Sequence, residues 1–216
     1  MELSIDKQAR GTRIIVGDEV KTRRYLLDQL RFILEKSDFQ EIILPSVEQA
    51  EIYTDKAGSE ILNQMYVFPD KKDRQLCLRP EGTATIQVLA DTHWKTAKDV
   101  KLWYFEKCWR YERPQAGRYR EFWQLGVEVI NPRDPAKTRN ELVGLAEWMV
   151  VRAKEVLKSD AEFEVNSSVK RGLAYYVEDG FEISVPKLGA QKQVCGGGSY
   201  KQGIGFALGF DRLMLM

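Results

Sequence analysis

Two long runs of aromatic and β-branched residues, joined by a short loop, constrain the fold of this chain most strongly. The runs cover residues 102–111 and 121–130, and they enclose the Pro- and Gly-containing loop 113–119. Aromatic and β-branched side chains favour strands, and a short connection joins antiparallel neighbours. The pattern therefore predicts one long antiparallel pair of strands near the middle of the sequence.

The remaining predicted elements are mostly further strands, with few helices between them. Hydrophobic periodicity predicts strands at 41–44, 64–69, 75–78, 161–165, 181–185 and 191–194, helices at 20–36, 82–93 and 140–158, and a final strand that turns into a helix at 203–216. Strands in succession favour an α+β fold over a doubly wound one. We expect a mainly antiparallel sheet of roughly six strands, flanked by helices.

Composition narrows the class of protein. The formal net charge is +1, so no overall basic field predicts a nucleic-acid partner, and any such contact must be local. Cys77, Cys108 and Cys195 are widely spaced, which predicts reduced thiols without a disulfide framework or structural zinc site. No apolar run has membrane-spanning length, and the polar start lacks a signal-peptide core. We expect a cytoplasmic protein without a membrane partner.

The stretch 107–120 carries four arginines and one lysine against one glutamate. Guanidinium groups bind phosphate oxygens bidentately and stay charged, so Arg110, Arg113 and Arg118 are candidates to clamp a triphosphate. Phe122 can stack on a purine, and Glu112 can accept a hydrogen bond from its exocyclic amine. The alternative interpretation is a charged, solvent-facing hairpin.

Several motifs, in order along the chain, resemble those of histidyl-tRNA synthetases, which are class II aminoacyl-tRNA synthetases. Residues 112–128, ERPQAGRYREFWQLGVE, resemble motif 2 of that family. The other similar segments are LRPEGT at 78–83, RGLAYY at 171–176, GIGFALGFDRL at 203–213 and, less sharply, a motif 1 around Pro45. Ordered matches are more specific than any single motif. The resemblance implies a class II synthetase-like antiparallel sheet flanked by helices.

By this resemblance, ATP and Mg²⁺ are the expected cofactors, and no metal-ligating protein set is predicted. Arg110 would hold the α-phosphate and Arg171 would stabilise the transition state, which makes these two the candidate catalytic residues. Glu112 would contact the adenine edge, Phe122 would stack on the ring, and the terminal phosphates would be held by Arg118 and Arg212.

The resemblance also implies an amino-acid pocket for histidine. Its ammonium and imidazole groups would be held by Glu81, Thr83, Gln124 and Glu128, and further pocket members would be Tyr175, Tyr176 and Tyr200. A buried imidazole needs a partner at each nitrogen, because an unpaired buried polar group costs about 1–3 kcal/mol. The Gly196–Gly198 run next to Tyr200 has two interpretations: a flexible turn, or backbone that passes close to the substrate.

The sequence also departs from the family pattern. Ala174 replaces an aspartate, while Ser199 and Lys201 replace an arginine and an aspartate near the glycine run. We expect one catalytic domain over 1–216, with no anticodon-binding domain and an insertion domain absent or reduced to about 133–170. The segment between Tyr200 and the last motif is also short.

These observations leave three functions open. The first is ATP-dependent activation of histidine with transfer to tRNA. The enzyme would contact the acceptor end of the tRNA, and it would be a homodimer with Pro45 near the interface. Local tRNA contacts would come from Lys107, Arg113, Arg118 and Arg120. The second is a regulatory subunit of an ATP phosphoribosyltransferase in histidine biosynthesis. The third is an aminoacyl ligase with another substrate, motivated by the altered residues.

Overall fold

The structure, a computed structural model, describes residues 2–54, 59–170, 175–178 and 180–216. The strands are β1 (Glu2–Leu3), β2 (Ile14–Ile15), β3 (Gln40–Glu41), β4 (Val47–Gln49), β5 (Val67–Pro69), β6 (Gln75–Leu78), β7 (Val100–Trp109), β8 (Glu121–Ile130), β9 (Glu164–Val169), β10 (Gly180–Ser184), β11 (Gln193–Tyr200) and β12 (Gly203–Gly209). The helices are α1 (Asp18–Lys36), α2 (Glu51–Thr54), α3 (Ser59–Leu62), α4 (Thr83–Thr92), α5 (Pro135–Leu157) and α6 (Phe210–Leu213), and a 3₁₀ segment covers Pro186–Gln191.

Seven strands form the main sheet, in the order β3-β7-β8-β12-β11-β10-β9. Every neighbouring pair is antiparallel except β3 and β7, which are parallel. The α+β class with a mainly antiparallel, helix-flanked sheet is therefore confirmed. The strand count is seven where about six were expected, and the predicted strand at 41–44 is a two-residue edge strand at Gln40–Glu41.

The predicted long pair is β7 and β8, ten residues each, in register from Val100 opposite Ile130 to Trp109 opposite Glu121. Between them the chain makes a narrow turn in which Gln115 and Arg118 bridge each other. Gly117 has a φ of 72°, a left-handed conformation that a side chain would strain. The arginine-rich loop is thus folded back over the end of the sheet.

The larger core lies between the sheet and two helices. Leu26, Leu30 and Leu34 of α1 pack with Leu142 and Met149 of α5 against sheet residues. Helix α5 begins at Pro135, five residues before the predicted start at 140. The Asp134 side chain accepts from the Lys137 amide at 3.0 Å, which is the cap that the Asp-Pro pair indicated.

The opposite side of the sheet carries α4 and a small antiparallel sheet, β4-β6-β5. The predicted hairpin at 64–69 and 75–78 is its β5–β6 pair. Gly196–Gly198 lie inside β11, where they are buried and paired, so the flexible-turn interpretation is wrong. Strand β11 returns at once through β12, with Tyr200 opposite Gly203, and this explains the short segment before the last motif.

Residues 133–170, where the family's insertion was expected to be absent or reduced, contain α5 and β9. In the described part of the chain, no helix is both long and apolar enough to cross a membrane.

Candidate active site

A cavity of about 550 Å³ opens between the arginine-rich loop, the middle of the main sheet and the start of α4. Most of the residues predicted from sequence line it: Glu81, Thr83, Arg110, Glu112, Arg118, Phe122, Gln124, Tyr175, Tyr176 and Arg212. Glu128 and Tyr200 are buried behind the lining: Glu128 accepts from the lining residue Thr83, and Tyr200 donates to Glu128. Arg171 lies outside the described residues.

Arg212, at the start of α6, is held by three acceptors. Its Nε donates to the Gly117 carbonyl at 3.0 Å, and its terminal nitrogens donate to the Gln193 carbonyl at 2.7 Å and to Gln191 Oε1 at 3.0 Å. Distances of roughly 2.7–3.2 Å are normal for N–H···O bonds, so the guanidinium group is well oriented. This arginine therefore joins the loop, β11 and the 3₁₀ segment at one rim of the cavity.

The charges of the three arginines act on one another. Burial lowers the pKa of Arg212, and the positive charges of Arg110 and Arg118 lower it further, while Glu112 opposes them. Mutual repulsion of this kind requires that the guanidinium groups lie near each other. A site that concentrates positive charge in this way attracts a polyanion such as a triphosphate.

Arg110 lies between the two halves of the cavity. Its Nε donates to the Pro80 carbonyl at 2.9 Å, and its guanidinium carbon lies 5.3 Å from the centre of the Phe122 ring. Its charge also lowers the pKa of Glu81, against the larger effect of burial. The residue therefore faces both the aromatic ring of β8 and the carboxylate before α4.

Glu112 and Arg118 form an ion pair across the loop. Arg118 keeps 37% of its side chain exposed, whereas Glu112 keeps 11%. Because Glu112 is largely buried, it needs a replacement hydrogen-bond donor when Arg118 turns away, and a bound ligand can supply one. The pair is thus available to open when other donors and acceptors enter the cavity.

Glu81 caps the start of α4. Its carboxylate accepts from the Thr83 amide at 2.7 Å and from the Ala84 amide at 2.8 Å. Burial raises its pKa, and these two backbone hydrogen bonds, together with the charge of Arg110, oppose the rise. The Tyr175 hydroxyl donates to the same carboxylate over a longer 3.4 Å.

Glu128 is fully buried on β8 and is held from two sides. The Thr83 hydroxyl donates to its Oε1 at 2.6 Å, and the Tyr200 hydroxyl donates to its Oε2 at 2.8 Å. Burial raises the pKa of Glu128 to about 8, although both hydroxyl bonds lower it. The carboxyl group therefore keeps its proton to a higher pH than an exposed glutamate does, and the nearby charge of Glu81 adds to the rise in its pKa.

The aromatic wall of the cavity is formed by neighbouring tyrosines. The rings of Tyr175 and Tyr176 lie 4.7 Å apart between centres, and Tyr175 meets Tyr200 edge to face at 6.2 Å. Gln124, four residues before Glu128 on β8, accepts from the Cys108 thiol at 3.4 Å. Two carboxylates, an amide and three phenols thus surround one end of the cavity.

Two residues at the site were not found by sequence reasoning. Asp211 accepts from the Trp123 amide at 2.7 Å and pairs with Arg23 at 2.9 Å, so it ties α1, β8 and α6 together. Tyr104 lines the deep end of the cavity. Two features of the sequence could have indicated these residues. Asp211 directly precedes Arg212, and Gly126 is the residue that the predicted strand pair places opposite Tyr104.

Comparison with known proteins decides the family. A family model described as histidyl-tRNA synthetase matches residues 11–156. A histidine–tRNA ligase from Archaeoglobus fulgidus is 31% identical over 307 aligned positions, which include 96% of this chain and 75% of that protein. The chain belongs to the histidyl-tRNA synthetase family. These are class II aminoacyl-tRNA synthetases, and the resemblance inferred from the motifs is confirmed.

Solved structures agree with this family. Apo histidyl-tRNA synthetase from S. aureus superposes with a TM-score of 0.77 at 27% identity, over 98% of this chain and 70% of that one. An ATP phosphoribosyltransferase regulatory subunit/histidyl-tRNA synthetase from Bacillus halodurans C gives 0.80 at 17% identity, over 98% and 83%. The second likeness shows the fold alone.

The alignment with the A. fulgidus relative is longer than the 216 residues of this chain. That member of the histidyl-tRNA synthetase family therefore contains internal residues that have no counterpart here.

Proposed function

We propose that this member of the histidyl-tRNA synthetase family joins ATP and histidine as histidyl-adenylate in the cavity described above and transfers the histidyl group to tRNA. The observation that carries the proposal is the convergence of Arg110, Arg118 and Arg212 on one cavity with Glu81 at its other end. The relatives are named as histidine–tRNA ligases, which agrees with this arrangement.

The arginine-rich half of the cavity suits a nucleotide. Phe122 supplies a ring for the purine, and Glu112 supplies an acceptor for its amine once Arg118 has turned to the phosphates. Arg212 would hold the terminal phosphates from the opposite rim. Because guanidinium groups make paired hydrogen bonds to phosphate oxygens, the three arginines can bind a bent triphosphate without further side chains.

The other half suits an amino acid with a basic ring. Glu81, with Thr83 and Gln124 beside it, would take the ammonium group. Glu128 would form a hydrogen bond with a nitrogen of the ring. The ring would be enclosed by Tyr175, Tyr176 and Tyr200. The buried hydrogen bonds to Glu81 and Glu128 hold both carboxylates in place before the ligand arrives.

The reaction needs no nucleophilic side chain. A carboxylate oxygen of the amino acid attacks the α-phosphorus, the bond from that phosphorus to the bridging oxygen breaks, and pyrophosphate leaves with the electron pair. Arg110 would neutralise charge on the α-phosphate, and Arg171 would act at the same atom in the transition state. The protein therefore contributes alignment and positive charge.

Mg²⁺ fits this site as a partner of ATP. Within the described residues, no group of three or more His, Cys, Asp or Glu side chains is arranged to hold a metal ion. Mg²⁺ commonly binds substrate phosphates with one or two carboxylates and several waters, and would neutralise the leaving pyrophosphate.

A homodimer and a contact with the tRNA acceptor end belong to the same proposal. Ile43 is 82% exposed and Val47 46%, on either side of Pro45, and this apolar edge supports an interface between two copies. Lys107, Arg113, Arg118 and Arg120 offer local positive charge for tRNA. We also propose a single catalytic domain over 1–216, with its insertion absent or reduced to about 133–170, and a cytoplasmic location.

The direct test is the exchange of radioactive pyrophosphate into ATP, with Mg²⁺ and each of the twenty amino acids in turn. We expect histidine alone to support exchange well above background. Aminoacylation of a total tRNA preparation, read in the same buffer, tests the transfer step. Exchange at background for every amino acid, from protein shown to be folded by circular dichroism, would reject the proposal.

The two other functions make different predictions in the same experiment. A regulatory subunit needs no ATP clamp, so it would bind a phosphoribosyltransferase and show no exchange. A ligase with another substrate would show exchange with a different amino acid while histidine is inert. The retained arginine cluster favours histidine activation over the regulatory function.

A further inference from the structure

Glu48 is a buried carboxyl group in the middle of β4, outside the lining of the cavity. It is 6% exposed, and its cross-strand neighbour Cys77 is also buried, so both lie on the inner face of the small sheet. The Tyr53 hydroxyl of α2 is hydrogen-bonded to Oε2 of Glu48, and the Thr85 hydroxyl of α4 donates to Oε1 at 2.9 Å. The carboxyl group therefore joins β4 to two helices.

The Tyr53 hydroxyl has a second contact, with the backbone next to the cavity. Its oxygen lies 3.2 Å from the main-chain carbonyl oxygen of Glu81, in hydrogen-bond geometry, and Tyr53 is fully buried. Glu81 is the residue whose carboxylate caps α4 and lines the cavity. One hydroxyl group therefore connects Glu48, behind the cavity, with the backbone of Glu81.

The number of hydrogen atoms in this cluster decides how it is bonded. Its three contacts, Thr85 with Glu48, Tyr53 with Glu48 and Tyr53 with the Glu81 carbonyl, need three hydrogens. Each hydroxyl group supplies one, and an ionised carboxylate supplies none. If Glu48 is ionised, Tyr53 can therefore donate to only one of its two acceptors. If Glu48 carries a proton, that proton bonds to the Tyr53 oxygen and the Tyr53 hydrogen bonds to the Glu81 carbonyl. The protonated form thus completes all three contacts, as is usual for buried polar groups.

The surroundings of Glu48 also favour the proton. The groups that act on it come from α2, α4, β6 and the segment before α4: Tyr53, Thr85, Cys77, Arg79 and Glu81. Burial, the largest effect, raises the pKa of Glu48, and the charge of Glu81 raises it further. The two hydroxyl bonds and the positive charge of Arg79 oppose the rise. The Cys77 thiol, whose pKa is raised chiefly by burial to about 12, stays neutral.

We propose that Glu48 is a positioning residue for Glu81: it carries a proton, donates it in a hydrogen bond to Tyr53, and so leaves the Tyr53 hydrogen to hold the Glu81 main-chain carbonyl. The inference rests on the proposed function where it concerns histidine. The held carbonyl fixes the backbone from which the Glu81 carboxylate reaches the amides of α4 and the ligand. Because Glu48 acts through Tyr53, loss of its proton weakens histidine binding and leaves the chemical step unchanged.

Infrared difference spectroscopy tests the proton directly. Glu48→Gln keeps the size of the side chain, an N–H donor for Tyr53 and an acceptor for Thr85, but it has no carboxyl group. At pH 7, the spectrum of the wild type minus that of Glu48→Gln should contain the C=O band of a protonated carboxylic acid and lack carboxylate bands. Carboxylate bands alone would show that Glu48 is ionised and would overturn the inference, whether or not the protein uses histidine.

Amide hydrogen exchange, followed by NMR, tests the link from Tyr53 to Glu81. The amides of Thr83 and Ala84 donate to the Glu81 carboxylate, so their exchange rates report how well Glu81 is held. Tyr53→Phe should speed both by about tenfold, the effect of one hydrogen bond, and Glu48→Gln should keep the wild-type rates. Tyr25→Phe, on the exposed face of α1, is the control and should change neither rate. Equal acceleration along the whole of α4 in Tyr53→Phe would indicate a purely structural role and overturn the inference.

The pH dependence of histidine use tests the consequence for the site. In pyrophosphate exchange at pH 6, the KM for histidine should be the same in the wild type and in Glu48→Gln. As pH rises through the pKa of Glu48, the wild-type KM should rise relative to that of the variant, because ionised Glu48 takes the Tyr53 hydrogen from Glu81. The kcat and the KM for ATP should stay equal in the two proteins.

Parallel KM profiles up to pH 9 would overturn the positioning role, and this comparison holds even if Tyr53→Phe does not fold. If the wild type shows no exchange with any amino acid, the proposed function fails. The infrared and hydrogen-exchange results then still decide whether Glu48 carries a proton and holds Glu81.

Discussion

The Glu128 carboxylate occupies the space above Gly205, so that a Cβ atom on Gly205 would lie 1.7 Å from Oε2. The two residues are opposite each other in the β8–β12 pair. A buried carboxylate can therefore lie flat on the neighbouring strand only because that strand has no side chain there. The glycine pattern GIGFALG thus makes room for Glu128, in the half of the cavity proposed to bind the amino acid, as well as forming the strand itself.

Gly205→Ala should destabilise the protein by about 2 kcal/mol or more, because the added methyl group displaces Glu128 or the strand. The change should also abolish measurable histidine binding. Gly144→Ala is the matched control: Gly144 lies within α5, and a Cβ there meets no atom within 4 Å. That control should raise the free energy of unfolding by roughly 0.5–1 kcal/mol. Urea unfolding measures both changes, and equal effects would contradict the packing described here.

The pH dependence of stability should show the buried proton of Glu128. Its pKa rises from 4.5 to about 8 in the folded protein, so the native state keeps a proton that the unfolded chain has lost. This contribution to stability is complete below the unfolded pKa and is lost as pH rises through 8. Glu128→Gln stays neutral at every pH, so its free energy of unfolding should fall less between pH 5 and 8 than that of the wild type.

Urea unfolding at several pH values in this range provides the measurement for Glu128. Burial also raises the pKa values of Glu81 and Glu48, and both carboxyls remain in the variant, so part of the slope should persist. Parallel pH profiles for the wild type and Glu128→Gln would exclude a buried, titrating Glu128.

Local sequence patterns were sufficient for the long elements of this fold. The β7–β8 pair and helix α1 are encoded by nearby residues, as aromatic runs and apolar spacing, and both were predicted within a few residues. Strand β3 was misplaced because its partner β7 lies about sixty residues away and only that pairing fixes its ends. The glycine run was ambiguous for the same reason: its neighbours in β10 and β12 decide its conformation.

The candidate site shows a similar division. Residues inside motifs, such as Arg110 and Glu81, were recognised because their chemistry is apparent from a few neighbouring letters. Asp211 and Tyr104 were missed because their importance comes from contacts with α1 and with two glycines in other elements. Contacts between distant segments leave no local pattern, and only the folded chain reveals them.

Arg212→Gln should weaken ATP binding by roughly 10- to 100-fold, since it removes charge-assisted hydrogen bonds to phosphate, and should leave histidine binding unchanged. Arg212→Lys should not restore ATP binding, because one ammonium group cannot replace a planar fork held by three acceptors. Arg31→Gln, which breaks an exposed pair with Glu35 on α1, is the control. Full ATP affinity in Arg212→Gln would remove this residue from the phosphate site.

Arg171→Ala should lower the rate of adenylate formation by at least about 100-fold while leaving the fold intact, because it removes positive charge from the transition state. Pre-steady-state formation of pyrophosphate, at saturating ATP and histidine, measures that rate directly. Lys170→Ala, at the neighbouring cavity-lining position, is the control and should cost much less. A loss of only a few-fold in Arg171→Ala would show that the residue does not act at the reacting phosphorus.

Arg79 is fully buried and connects the segment around Pro45 to strand β7. Its guanidinium group donates to the Pro45 carbonyl at 2.5 Å and pairs with Glu106 at 3.0 Å. Arg79→Met should cost about 3–5 kcal/mol of unfolding free energy, because it leaves the partly buried Glu106 without its cation. Arg74→Met, which breaks an exposed pair with Asp70, should change stability by less than about 1 kcal/mol.

The double variant Arg79→Met/Glu106→Gln should recover part of the loss, since it removes the uncompensated charge as well. All of these variants are compared by urea unfolding. If Arg79→Met lowers the unfolding free energy by no more than Arg74→Met does, the buried Arg79–Glu106 pair does not stabilise the protein. Because Arg79 comes immediately before Pro80 and Glu81, its loss should also raise the KM for histidine in the double variant, even where stability is partly restored. An unchanged KM would show that the segment around Pro45 and the amino-acid pocket are independent.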